Sequence, residues 1–184
     1  TLPYLARFAS CGSTTWKTTP RNLRNKSYCR HRGYLFFRTT GRNNNGGDKM
    51  GNIQLDFPSP ELRDCRMLAN ELLMDVFENI LFNSIKHNEN YQIDIMIKIS
   101  QRQTNDTNCL FIQFIDNGRG ITDSLKKHVF QRAADQSIKG MGLGLTLVNK
   151  IIESFNGDIW VEDRIKGDYS KGSIFHLCLP LISQ

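Results

Sequence analysis

From residue 51 onward, apolar and polar positions fall into regular periods. Ile53, Leu55 and Phe57 alternate with polar neighbours and stop at Pro58-Ser59-Pro60, which predicts a strand. Residues 67 to 87 carry apolar side chains at helical spacing and predict a long amphipathic helix. Tyr91, Ile93, Ile95, Ile97 and Ile99 alternate as a second strand, and Cys109 to Ile115 reads as a third after the turn signal Thr104-Asn105-Asp106-Thr107-Asn108. A loop region follows over 116–141, with a short helix near 122–130. Leu143 to Phe155 is helical and is stopped by Asn156-Gly157. Two last strands, Asp158 to Asp163 and Ser173 to Leu179, complete the order β-α-β-β-α-β-β. That order predicts an α+β fold, a two-layer α/β sandwich in which a mixed β-sheet is covered on one face by helices.

Residues 1–50 lack such periods. They are rich in Arg, Asn, Thr and Gly and end in the loop signal Asn43-Asn44-Asn45-Gly46-Gly47, although Tyr34-Leu35-Phe36-Phe37 is apolar enough for one strand. We read them as a basic, irregular arm without a recognisable domain, and residues 51–184 as the folded unit. The arm carries ten Lys/Arg and one acid, whereas residues 51–184 carry fourteen Lys/Arg against seventeen acids. The net charge of +6 therefore belongs to the arm, and no nucleic-acid role is expected for 51–184. Two readings of the arm stand side by side: a segment for nucleic acid or anionic membrane, and a segment with no evolved structure.

Composition changes the picture little. No run of about 18 apolar residues exists, so no membrane span is predicted. Thr1 begins the chain with no apolar leader behind it, which suggests a fragment or a processed product. Cys11, Cys29, Cys65, Cys109 and Cys178 are odd in number and make no CxxC pair. They fit reduced thiols in a cytoplasmic protein and give no support to a zinc site.

Three constellations carry candidate chemistry. Asp75, Asn79, Asn83 and Lys86 fall along one face of the first helix among apolar neighbours. Asn is disfavoured inside helices, so two of them there invite either a solvated face or a cleft. In a cleft, an Asn amide oxygen is a hard, neutral ligand suited to Mg²⁺, and Lys86 would place a compact positive charge on phosphate. The second constellation is Asp116-Asn117-Gly118-Arg119-Gly120-Ile121. It is a tight turn or a carboxylate poised to accept from an exocyclic amine, beside glycines that let a planar base approach. The third, Gly140-Met141-Gly142-Leu143-Gly144-Leu145, opens a helix whose free N–H groups attract phosphate. It matches neither the Rossmann nor the P-loop spacing. The polar segment 122–141, with Lys126, Lys127 and Lys139, reads as a mobile cover over the triphosphate.

Taken together and in this order, the three motifs make residues 51–184 closely resemble the ATP-binding catalytic domain of sensor histidine kinases, within the GHKL ATPase superfamily. Asn79 to His87 resembles the N box, Asp116 to Ile121 the G1 box, Phe130 the F box, Gly140 to Leu145 the G2 box, and Gly172-Ser173-x-Phe175 the strand that closes the pocket. The resemblance implies ATP and Mg²⁺ as cofactors. It places the metal on Asn83, with Asn79 near metal and phosphates, Lys86 on phosphate, and Asn79 and Lys86 in catalytic roles. His87 would pack by the adenine and Asp116 would accept from its amino group, with Gly118, Gly120 and Ile121 shaping the base pocket. Gly140, Gly142, Leu143, Gly144 and Leu145 would hold the phosphates, and Ser173 would close the site.

The same resemblance implies transfer of the ATP γ-phosphate to a histidine in a two-component phosphorelay, with a response regulator as the onward partner. A complete kinase carries an acceptor histidine on a helical hairpin. His31 lies in Cys29-Arg30-His31-Arg32-Gly33, which is no such motif. The acceptor histidine domain is therefore expected elsewhere, and the oligomeric state that such a hairpin sets is left open. A GHKL-type regulatory module, either an anti-sigma-like serine kinase or an inactive ATP sensor, is the alternative. The interval from Phe130 to Gly140 is short for the family's lid.

Overall fold

The structure is a computed structural model. It describes residues 5–7, 27–31, 34–42, 48–56, 66–68, 72–104, 107–131 and 143–181. In chain order these form β1 (Leu5–Arg7), β2 (Ser27–His31), β3 (Tyr34–Arg42), β4 (Asp48–Asp56), β5 (Arg66–Leu68), α1 (Leu72–Lys86), β6 (Gln92–Thr104), β7 (Thr107–Asp116), α2 (Asp123–Lys126), α3 (Leu143–Ser154), β8 (Asp158–Ile165) and β9 (Asp168–Pro180). Seven strands make one sheet in the order β2-β3-β4-β6-β7-β9-β8. Among the described strands of this sheet only β4 and β6 pair in parallel, which makes it mixed, as expected.

Strand alternation builds the core. Ile93, Ile95, Ile97 and Ile99 of β6 are buried, as are Leu110, Ile112 and Phe114 of β7 and Phe175, Leu177 and Leu179 of β9. Onto this face pack Leu73, Val76 and Ile80 of α1, and Val148, Ile151 and Ile152 of α3. Each fully buried aliphatic side chain contributes about 1.5–3 kcal/mol relative to exposure. Phe77 of α1 meets Phe114 of β7 with ring centroids 5.5 Å apart. The helical stop at Asn156-Gly157 holds: Asn156 takes φ 55°, and the Gly157 N–H donates to the Ile152 carbonyl at 3.0 Å.

The opposite face of the same strands is lined differently. Cys109, Phe111 and Gln113 of β7 point there, beside His176 and Cys178 of β9 and Trp160 of β8. Trp160 and His176 stack with centroids 4.9 Å apart and planes 6° apart. Arg102 of β6 sits over the Phe111 ring at 3.5 Å from its centroid. Phe111 and His176 are both buried.

Three expectations differ from what is found. The helix foreseen over 67–87 begins at Leu72, and Arg66–Leu68 is instead a short strand antiparallel to β1. Met67 and Leu68 suit either period, and the partner strand lies too far along the chain for a local pattern to reveal it. Residues 1–50, read as mostly irregular, contain β1, β2 and β3, and β3 is the strand foreseen at Tyr34–Phe37, extended to Arg42. β2 and β3 add antiparallel strands outside β4, so the proposed boundary at residue 50 falls inside β4. Finally, Lys126, foreseen on a mobile cover, donates to Asp123 at 2.6 Å and bridges to Asp163 of β8, which anchors α2 to the sheet.

Candidate functional site

Asp116 is the last residue of β7, and its carboxylate is buried. The Gly118 N–H donates to its Oδ1 at 2.8 Å, the Ser173 N–H to the same oxygen at 3.3 Å, and the Ser84 hydroxyl to Oδ2 at 3.3 Å. Burial pushes the Asp116 carboxyl above its ordinary range; these three donors and the Arg164 charge oppose that rise. Each carboxylate oxygen has two lone pairs, so an acceptor position is still available.

Glycines let the backbone close around this acid. Gly172 has φ +115°, and a Cβ there would lie 2.1 Å from the Asp116 carbonyl oxygen. Gly120 has φ +67°, and its Cβ would lie 1.7 Å from the Tyr169 carbonyl oxygen. Glycine at 120 is required by the close approach of β9. Gly118, likewise, spends its N–H on Asp116 itself.

Beside the acid runs α1. Asn79 donates its amide Nδ2 to the Asp75 carbonyl one turn back at 2.7 Å, which leaves Oδ1 facing α3. A Cβ on Gly144 would lie 2.8 Å from that Oδ1, so the first and third motifs meet here. Asn83 is half-buried on the same helix, and Lys86 is exposed in its last turn with Nζ 6.0 Å from the Phe82 ring centroid. His87 is half-buried; burial, then the Arg119 and Lys86 charges, hold its imidazole below the usual histidine range. Its Nδ1 lies 3.3 Å from an Arg119 guanidinium nitrogen. Ile121, Phe130 and Leu145 are partly buried against the core, and Phe130 meets Phe175 edge-on at 6.2 Å. Leu143 opens α3. Gly140 and Gly142 lie outside the described residues, as do Lys139 and the second half of the anticipated cover.

Two groups escaped the sequence reading. Ser84 lies on the buried stripe Leu73, Val76, Ile80, Ser84, and a polar residue there needs a partner, which is Asp116. Asn88 is fully buried and donates to Asn117 Oδ1 at 2.7 Å. That same oxygen accepts from the Asp94 N–H at 2.9 Å, and Asn117 Nδ2 donates to the Gln92 carbonyl at 3.0 Å. These amides tie the turn after Asp116 to the start of β6 and to the end of α1. Among the described residues no cluster of three or more His, Cys, Asp or Glu could hold a metal ion, so a cation here would rely on amide oxygens and its own waters.

A sheet with helices on one face, a buried acid at a strand end and an Asn-bearing helix against a glycine-opened helix define an ATPase of the GHKL type. Residues 69–183 match the family described as histidine kinase-, DNA gyrase B-, and HSP90-like ATPase. The chain belongs to that family, and its domain is a histidine-kinase-type ATP-binding catalytic domain. It is 35% identical over 134 residues to the adaptive-response sensory kinase SasA of a Synechocystis strain, covering 71% of this chain and 33% of the kinase. The chain thus spans about a third of that relative's length. The catalytic domain of the histidine kinase ThkA has a similar fold, at 26% identity and a TM-score of 0.56, covering 71% of this chain and 78% of that one. Full-length ShkA, solved in complex with AMPPNP, gives 21% identity and a TM-score of 0.56, covering 72% of this chain and 26% of ShkA. Among the described residues no helix is long and apolar enough to cross a membrane.

Proposed function

We propose that this domain binds Mg-ATP and passes its γ-phosphate to a histidine supplied by another segment or another chain, within a two-component signalling pathway. The observation that carries this reading is the buried Asp116 carboxylate, fixed by Ser84, Gly118 and Ser173 within one continuous site with α1. Asp116 accepts a hydrogen bond from the adenine amino group. Gly118, Gly120 and Ile121 form the wall beside the base, with His87 packing at its edge. Asn79, Lys86 and the start of α3 at Leu143, Gly144 and Leu145 orient the phosphates, together with Gly140 and Gly142. Ser173 holds Asp116 in place through its N–H.

Asn83, with Asn79 close by, would hold the magnesium ion. Asn donors fit it, being neutral hard oxygens that leave room for water and phosphate. Bound there, the ion would neutralise phosphate charge. Phosphoryl transfer requires mainly positioning and charge neutralisation, and this chain's contribution is of that kind. A response regulator is the onward partner in this reading. The domain's own share of the site is taken to lie in residues 51–184, with 1–50 as an accessory segment.

Calorimetry with Mg-ATP tests the base pocket. Asp116→Asn should weaken binding more than tenfold, and equal affinities would sink the assignment. A labelled-phosphate assay against a separately supplied histidine hairpin tests the transfer. Tight binding with no transfer to any hairpin would favour the ATP-sensor alternative.

A further inference from the structure

We propose that Cys109 and Cys178 form a reversible oxidation site, closing an intramolecular disulfide between β7 and β9 when a small organic disulfide is the oxidant. The two thiols lie 69 positions apart in sequence, yet their Sγ atoms are 2.6 Å apart, with Cys178 donating to Cys109. They stand on adjacent antiparallel strands, where Cys178 pairs with Phe111 and Cys109 with Pro180. Both project to the sheet face opposite α1 and α3, away from the Asp116 side chain. Cys109 is buried and Cys178 half-buried, so Cys178 is the point of entry.

The chemistry balances as an exchange. The Cys178 thiol loses its proton and attacks one sulfur of the oxidant, expelling the first small thiolate. Cys109 then loses its proton and attacks the Cys178 sulfur of the mixed disulfide, expelling the second. Two protein thiols are oxidised by two electrons, and one small disulfide is reduced to two thiols. Burial pushes the Cys178 thiol up to about 12, the hydrogen bond and charge of Cys109 and then the Asp158 carboxylate add to this, and Arg102 opposes it. His176 lies one step further along the same face, and Glu162 beyond it, opposite Ile174. The reactive thiolate is therefore scarce at neutral pH. Closure should be slow there and accelerate roughly tenfold per pH unit between about pH 8 and 10.

The location gives the crosslink a consequence. Asp116 ends β7 seven residues beyond Cys109, and Ser173 precedes Cys178 by five in β9. The bridge would covalently fix the strand pair whose far end holds the Asp116–Ser173 contact.

The test treats the full chain with excess glutathione disulfide at pH 8.5, blocks residual thiols, and digests with trypsin. The expected product is residues 103–119 linked to residues 172–184, released by dithiothreitol, in a monomer lighter by two hydrogens. The same treatment in strong urea should scatter pairing among all five cysteines. Three results would overturn the proposal: both thiols still open to alkylation only after unfolding, a glutathione adduct persisting on Cys178 without closure, or either residue joined instead to Cys11, Cys29 or Cys65. A Cys109→Ala variant should keep the glutathione adduct on Cys178; its absence there would also count against Cys178 as the entry point.

Discussion

The two faces of the central sheet use the same strands for different ends. On the helical face, β6, β7 and β9 contribute mostly aliphatic side chains, with Phe114 and Phe175 among them, and at the strand ends the acid and serine of the proposed nucleotide site. On the other face they contribute aromatic rings, an arginine and two thiols. One residue of alternation separates Phe111 from Ile112, and with it a stacked polar-aromatic surface from a dry core. The fold thus keeps two chemistries apart with a single layer of backbone, and a change on one face should leave the other's readout nearly untouched.

The strongest way to break that separation is to disturb the backbone shared by both faces. Gly172→Ala forces a Cβ into the Asp116 carbonyl at a positive φ. It should cost about 3 kcal/mol or more of stability by urea unfolding and abolish nucleotide binding as well. Asp116→Asn, next in size, should reduce Mg-ATP affinity more than tenfold, about 1.4 kcal/mol, and leave the environment of Trp160 unchanged by fluorescence. The affinity of the unaltered chain should also fall as pH drops toward the raised Asp116 titration, and Asp116→Asn should remove that dependence. Ser84→Ala removes one of three donors to the acid and should cost about 1 kcal/mol, read as a several-fold loss of affinity.

A smaller effect probes the back face alone. Burial holds His176 below the ordinary histidine range, with Arg102 lowering it further and Glu162, whose Oε2 is 3.2 Å from Nε2, opposing. The unfolded chain takes up this proton near pH 6.5 while the folded chain resists it. Stability is therefore present above that pH and is lost as pH falls below it. His176→Gln should flatten that slope in acid-dependent melting. His87 has the same sign, so the double variant should be flatter still. Smallest of all, removing residues 1–47 should change Mg-ATP affinity by less than about twofold, since 1.4 kcal/mol would be needed for tenfold. The described groups that donate to Asp116, the Ser84 hydroxyl and the Gly118 and Ser173 N–H groups, all lie beyond residue 72. A larger loss would make the β2–β3 hairpin part of the nucleotide unit.

The helical face was legible from local pattern, because its signals are local. Alternating isoleucines mark β6, a stripe at helical spacing marks α1, and Asn156-Gly157 marks the end of α3. Asn79 and Gly144 were each visible as motif residues, and their contact needed the fold. The back face was not legible. Arg102 over Phe111, Trp160 on His176 and Cys109 against Cys178 join residues that are paired only by strand register, and register leaves no mark on a short window of sequence. β1 was missed for the same reason, since its partner β5 lies about sixty residues along the chain; β2 forms a local hairpin with β3, but Ser27–His31 carries no apolar alternation to mark it.

One feature of the sheet bears on how the chain is made. β4 joins β6 in parallel, with β5 and α1 in the connection between them. Parallel neighbours cannot form by a tight hairpin, so β4 gains this ladder only after some thirty-five further residues have been synthesised and α1 has docked. Emerging before β6, β4 has an orphan edge for that interval, while the β2–β3 hairpin made just before it already covers its other edge. Upstream residues can therefore act as a guard during biosynthesis even if they lie outside the proposed nucleotide site, keeping nascent strands from pairing with one another between chains.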